Sequence, residues 1–340
     1  MSTFDKFNFG ENILSSEKIK SRPSDYIIDS ALYNAVKVAV MLKQPLLLTG
    51  DAGTGKTRLA EKLAADLYNQ YPEEYLSKPL IFHTKTISSY TDLFYIYDAL
   101  GHFHDAHLNM KGEPDTSPKA SDYIQLQALG QAIVLSNENY NKESFPYRFM
   151  DEIKVKRTFE NGARSSVVLI DEVDKAPRDF TNDLLNELDR YEFFVKEDSN
   201  KCYRKGIKNI FIILTSNSEK NLPDAFLRRC VFYHIKPPKG SQLQKIVINQ
   251  IFSHEPEYEK NKETIDELLS EYISHFETIR KESIDKQPAT AELISWIYYL
   301  RREILNGNRV SKLTDEVLNP SYSILAKSKN DLGRLVENHK

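Results

Sequence analysis

Cysteine is nearly absent. The chain of 340 residues carries two, Cys202 and Cys230, in no metal-ligand or redox spacing, which excludes a disulfide scaffold and a cysteine-built metal module and predicts reduced thiols. Also missing is any apolar run as long as a bilayer requires, and Met1 to Lys20 lacks the apolar core of a signal peptide. No membrane insertion is predicted, and the expected compartment is the cytoplasm. Charge of one sign is lacking too: 46 Lys and Arg against 49 Asp and Glu give a net charge of -3 and an isoelectric point near 6.3. That balance carries no electrostatic footprint for nucleic acid or an anionic membrane, so neither partner is predicted. Internal repeats and low-complexity segments are absent as well.

What is present reads as an ordinary folded chain, with 40% hydrophobic and 11% aromatic residues. Its length suits two domains. We expect an N-terminal extension over 1–24, an α/β domain over 25–238 and a helical domain over 239–340.

Leu46-Leu47-Leu48-Thr49 is an apolar strand that runs into Gly50-Asp51-Ala52-Gly53-Thr54-Gly55-Lys56-Thr57, and a helix-forming segment opens at Arg58. The spacing is that of a complete phosphate loop: glycines turn backbone N–H groups inward, the helix end adds partial positive charge, and Lys56 and Thr57 supply an ammonium and a hydroxyl. Upstream, Ser24-Asp25 reads as a helix cap, followed by Ile28, Leu32, Ala35, Val36, Ala39 and Leu42 on one face. Downstream, Pro79 to Thr84 predicts a second strand, and Ser89 to Leu93 a cap opening the segment Leu93 to Leu100. Gly101 to Asp122 reads as an excursion, and Tyr123 to Leu135 resumes an apolar period through Leu126, Leu129, Ala132 and Ile133. The polar segment Ser136 to Arg164 has no clear reading.

Ser166 to Ile170 is a buried parallel strand ending in Asp171-Glu172. Phe180, Leu184, Leu185, Leu188 and Tyr191 mark the next helix. Ile210 to Leu214 is a further strand ending in Thr215-Ser216-Asn217, and Val231 to Ile235 closes the domain. Pro237-Pro238-Lys239-Gly240 reads as a hinge, after which the period is helical throughout, as in a small bundle.

Beside a phosphate loop, two acids at a strand end divide the work of hydrolysis: Asp171 faces Mg²⁺ through Thr57 and water, and Glu172 faces the γ-phosphate as the base for an attacking water. A solvated acidic turn is the competing reading, since Asp174 and Lys175 follow. Asn217 fits either a water-orienting amide or a capping residue. Arg228-Arg229 fits either a solvated pair or a contact to another subunit. His102, His104 and His107 with Asp105 read as surface groups rather than a metal site. Phe94 to Tyr97 and Trp296 with Tyr298-Tyr299 read as core. Glu187, Asp189 and Arg190 lie on the polar side of their helix.

Taken together, Gly50 to Thr57, Val168 to Ala176, Asn217 and Leu222-Pro223-Asp224-Ala225-Phe226-Leu227-Arg228-Arg229 resemble an AAA+ ATPase of the MoxR type. Asp98 to Gly101 and Asp183 to Leu188 resemble stretches of the same family, and the resemblance covers roughly residues 25–300. It implies a P-loop NTPase core, with a parallel β-sheet sandwiched by helices, and a small C-terminal α-helical lid. It also implies ATP and Mg²⁺ at the subunit interfaces of a homo-oligomeric ring, a hexamer. Gly50 through Arg58 and Asp171 would hold the nucleotide, with Thr57 and Asp171 toward the metal. Asn217 would be the first sensor and Arg229 the arginine finger, although the family carries Asp-Arg where this chain has Arg228-Arg229, so either arginine could reach across. The family's second-sensor arginine falls on Ala291, or on Thr290 in another register, with Arg301 as a substitute. Family members are paired with partners that carry a von Willebrand A-like domain. The expected function is remodelling or activation of a partner protein by ATP turnover; the alternative is a nucleotide-gated switch or scaffold in which turnover is incidental.

Overall fold

The computed structural model describes residues 22–109, 118–140, 148–149, 162–177, 179–181, 183–184, 190–218, 222–253, 255–282 and 285–338. They fall into two compact units, one over 28–237 and the other over 238–340 together with residues up to 27.

The first unit opens with α1 (Ser30–Leu42), whose N-terminus is closed by Asp29: its carboxylate accepts the Leu32 N–H at 2.8 Å. Ser24-Asp25, expected as the cap, stands instead in a short 3-10 turn where Asp25 accepts the Arg22 N–H at 2.6 Å. The buried face of α1 is Leu32, Val36 and Ala39, and Leu42, the last residue before Lys43 turns left-handed, is exposed. The chain continues through β1 (Leu46–Thr49), α2 (Lys56–Gln70), β2 (Leu80–His83), β3 (Tyr95–Tyr97), α3 (Ala99–Asn109), β4 (Ile124–Leu126), α4 (Ala128–Leu135) and β5 (Arg148–Phe149). Then follow β6 (Ser166–Asp171), β7 (Glu192–Val195), β8 (Lys201–Arg204), β9 (Ile210–Thr215), the short helix α5 (Asp224–Leu227) and β10 (Val231–His234).

Five strands form one sheet in the order β10-β1-β9-β6-β2, every neighbouring pair parallel. Register places Leu48 opposite Thr215, Thr49 opposite His234 and His83 opposite Asp171. The carboxyl ends of all five strands therefore stand flush, and whatever follows them shares one edge. Aliphatic runs make the sheet interior: Leu46, Leu47, Leu48, Val168, Leu169, Ile170, Ile213 and Leu214 are inaccessible to solvent, as strands covered on both faces require.

Several local expectations change. Tyr123 to Leu135 is a strand and then a helix: Gln127 is extended, and its neighbour Gln131 donates its side-chain amide to the Leu126 carbonyl at 3.1 Å. The segment after Ser89 is a 3-10 turn and then β3, which pairs antiparallel with β4. Phe94 and Tyr95 are buried as expected, but Ile96 is exposed. The expected excursion begins inside α3, and 110–117 lie outside the described residues. So do Leu185, Asn186, Glu187, Leu188 and Asp189, whereas Phe180 and Leu184 are buried. Tyr191 has positive φ.

The second unit comprises α6 (Ser241–Val247), which runs into a π-helical turn, then α7 (Pro256–Lys260), α8 (Lys262–Lys281), α9 (Thr290–Leu305), α10 (Asp315–Leu325) and α11 (Lys329–Asn338). Its core packs Tyr272, Phe276, Trp296, Leu300 and Tyr322. The Trp296 indole N–H donates to Ser321 Oγ at 2.8 Å, and the His275 ring stacks between Trp296 and Tyr322. Tyr299, expected in this core, is 51% exposed, since it lies on the outer face of α9. No helix among the described residues is long and apolar enough to cross a membrane.

Candidate active site

The loop between β1 and α2 holds glycine at positive φ at three points, Gly53 at 77 among them. Gly50 has φ 141, and a Cβ there would lie 2.6 Å from the Ile235 carbonyl oxygen. Gly55, at φ 87, is the N-cap of α2, where an L side chain is disfavoured. Thr54 ties the loop to itself by donating to the Asp51 carbonyl at 2.8 Å. Arg58, one turn into α2, pairs with Glu61 at 2.7 Å.

Lys56 is buried, and its ammonium donates to the carbonyls of Gly50 at 2.7 Å and Asp51 at 3.0 Å and to Asn217 Oδ1 at 2.9 Å. Three donors meet three oxygens. Desolvation pushes the Lys56 pKa down, opposed by the charges of Asp171, Asp174, Asp51 and Glu172. The next residue, Thr57, places its hydroxyl 3.3 and 3.4 Å from the two oxygens of Asp171. A hydroxyl and a carboxylate beside a helix N-terminus are hard oxygen donors that fit Mg²⁺, and the adjacent Lys56 fits its nucleotide phosphates.

The acidic strand end is held from several directions. Thr215 Oγ1 donates to Asp171 Oδ1 and accepts the Glu172 N–H at 2.9 Å, and His83 Nδ1 stands 3.4 Å from Asp171 Oδ2. Glu172 itself is left-handed, at φ 58 and ψ 49, and its carboxylate is engaged by the Lys175 ammonium. That pairing raises the Lys175 pKa. Asp174 accepts the Asn217 N–H at 3.3 Å.

The structure thus brings Lys56, Thr57, Asp171, Glu172 and Asn217 to one sheet edge, although Lys56 and Asn217 are 161 residues apart. It does not bring Arg228 and Arg229 there. Both are exposed and immediately precede β10, whose first residue, Val231, pairs with Leu46 at the amino end of β1. They stand at the opposite end of the strand, about 13 Å along a four-residue β10. Buried Leu222 and Phe226 anchor the segment that carries them.

Residues 45–230 match the AAA domain family, dynein-related subfamily. The chain belongs to that family. It therefore carries an AAA+ ATPase domain, and the matched residues span the phosphate loop, both acids, Asn217 and both arginines. Two solved structures align more distantly. RuvB T158V from Thermotoga maritima does so at 12% identity and TM-score 0.41, over 89% of this chain and 69% of that one. The Hsp104-ADP complex from S. cerevisiae does so at 18% identity and TM-score 0.42, over 83% of this chain and 45% of that one. No curated protein matches the chain.

Thr215 and His83 take part in the site without having been singled out from sequence, as do Asp174 and Lys175, which were read there only as part of a solvated acidic turn. The usable signal was positional: His83 and Thr215 are the last residues of apolar parallel strands, where polar side chains reach a common crevice. Among the histidines of the other segment, His102 bonds to the Tyr97 hydroxyl and stacks on Tyr123, and His104 pairs with Asp105. In the second unit, Thr290 and Ala291 open α9, whose N-terminus is closed by Glu292 through the Ala289 N–H at 3.0 Å. Arg301 lies on the Tyr298 ring, 4.1 Å from its centroid.

Proposed function

We propose that this AAA family member is a MoxR-type ATPase that hydrolyses ATP with Mg²⁺ at the interfaces of a homo-oligomeric, hexameric ring to remodel or activate a partner protein. The observation that carries the proposal is the convergence at one sheet edge of two hydrogen-bonded pairs, Lys56 with Asn217 and Thr57 with Asp171. Bound Mg²⁺ would neutralise charge on the nucleotide phosphates and hold their geometry. The loop from Gly50 to Thr57 supplies backbone donors and the Lys56 ammonium to the phosphates. Thr57 and Asp171 hold the metal, Asp171 through water. Glu172 takes the proton of the attacking water. Asn217, bonded to Lys56, would turn toward a terminal phosphate.

An arginine at the far end of the sheet has no role in its own subunit's site. In a ring, Arg229 or Arg228 would complete a neighbour's. We place the lid function in 239–340, with Arg301 as the substitute for the missing second sensor, and we propose a cytoplasmic protein that inserts in no membrane and takes no nucleic acid. A partner with a von Willebrand A-like domain is the first class to seek, by capture with Glu172→Gln held in ATP. ATPase assays decide the core of the proposal: Lys56→Ala should lose nucleotide binding and turnover, and Glu172→Gln should keep binding and lose turnover by about 10²-fold or more. Wild-type turnover in both variants would defeat it.

One observation favours the second reading, a nucleotide-gated switch or scaffold. The Glu172 carboxylate is engaged by Lys175, so the base is occupied in this state. A specific activity independent of subunit concentration would support that reading.

A further inference from the structure

We infer that Thr215 is a positioning residue whose single hydroxyl ties the metal-facing carboxylate of Asp171 to the backbone that aims Glu172. Thr215 is the last residue of β9 and is inaccessible to solvent. Register sets Leu214 opposite Ile170, so the next residue of each strand, Thr215 and Asp171, meet across the sheet. A hydroxyl has one proton, and the backbone N–H of Glu172 can only donate. The direction of both bonds follows: Glu172 N–H donates to Thr215 Oγ1 at 2.9 Å, and Thr215 Oγ1 donates to Asp171 Oδ1.

Two features give this bond pair a task. Glu172 is a non-glycine residue in the left-handed region, a conformation that persists only where neighbours hold it. The Glu172 N–H held by Thr215 is such a hold, and it sets where the Glu172 side chain leaves the strand. At Asp171, the same hydroxyl bonds Oδ1 and fixes the carboxylate plane, so that both oxygens stand before the Thr57 hydroxyl and Oδ2 before His83. The sheet alone does not call for threonine here. Valine has the same branched shape and suits a buried strand at least as well, so the hydroxyl is surplus to packing and is spent on the two acids.

The inference rests on the proposed Mg²⁺-nucleotide site, and Mn²⁺ binding separates the two. Mn²⁺ affinity of the full chain with ADP is measured by electron paramagnetic resonance, and ADP affinity by calorimetry in EDTA. Thr215→Val should weaken Mn²⁺ binding by about 10- to 100-fold, the range for loss of an outer partner of a metal ligand, while metal-free ADP binding stays at the wild-type level. Thr215→Ser, which keeps the hydroxyl, should recover most of the loss. Should Thr215→Val not fold, Thr215→Cys, with its weak donor and acceptor, should give a smaller loss in the same direction. Wild-type Mn²⁺ affinity in Thr215→Val or Thr215→Cys, or a Thr215→Ser as weak as Thr215→Val, overturns the inference. A wild-type chain that binds ADP but no Mn²⁺ overturns the metal site itself, and Thr215 with it.

Discussion

Gly50 is a position where one methyl group meets backbone strain and a backbone oxygen at once. Its φ of 141 is closed to L residues, and the added Cβ would sit 2.6 Å from a backbone oxygen of the segment after β10, which has no flexible end to move aside. Gly50→Ala should therefore destabilise the unit over 28–237 by about 2 kcal/mol or more, combining backbone strain with overpacking. Cys230 offers the readout, because it belongs to that unit and burial pushes its thiol up to about 12. At pH 8 it is protonated in the native state and half-buried, so iodoacetamide should label it faster as the unit opens. Faster labelling in Gly50→Ala is the expected result, and an unchanged rate would show that the loop absorbs the methyl group. Lys56 poses the opposite problem at the same scale. Its charge is buried, and it is tolerated because carbonyls and the Asn217 amide oxygen saturate every donor.

Among elements, those with a steady period were legible, and those short or interrupted were not. α8 and α9 declare themselves through Ile265, Leu268, Leu269, Tyr272 and Phe276, and through Leu293, Ile297, Leu300 and Ile304, all buried. The ribbon β7-β8 was not legible: each strand has four residues, and the turn between them is polar, so no apolar alternation survives long enough to read. β4 and α4 were fused into one apolar stretch because both are apolar and only Gln127 parts them. In the helical unit, Ser321 on α10 joins two elements by accepting the Trp296 N–H of α9 while donating to its own Leu318 carbonyl at 2.6 Å. Ser321→Ala leaves a buried indole N–H without an acceptor and should cost about 1–3 kcal/mol. The chain has one tryptophan, so its fluorescence follows this unit alone through urea denaturation. An unshifted midpoint would mean that the indole finds another acceptor.

At the scale of the molecule, the decisive question is whether the site is whole within one chain. The acids, Lys56 and Asn217 share one edge of the sheet, and the arginines stand at the other. If a second subunit supplies the arginine, mixing Arg229→Ala with Lys56→Ala should restore part of the activity that each lacks, and wild-type specific activity should rise with subunit concentration. No gain on mixing, for Arg229→Ala and likewise for Arg228→Ala, would favour the switch reading. The sequence by itself determined the contiguous parts of this protein: the strand, glycine turn and helix from Leu46 to Gln70, and the apolar strand that delivers Asp171 and Glu172. Neighbouring residues build these, and local propensity suffices to read them. Only the tertiary structure decided what depends on strand order and register. β9 lies between β1 and β6, which sets Asn217 on Lys56 and Thr215 on both acids. β10 runs parallel to β1, which leaves Arg228 and Arg229 at the far end of the sheet. Such pairings join residues 43 to 161 positions apart, or separate residues close in sequence to the site, and no periodicity along the chain records them.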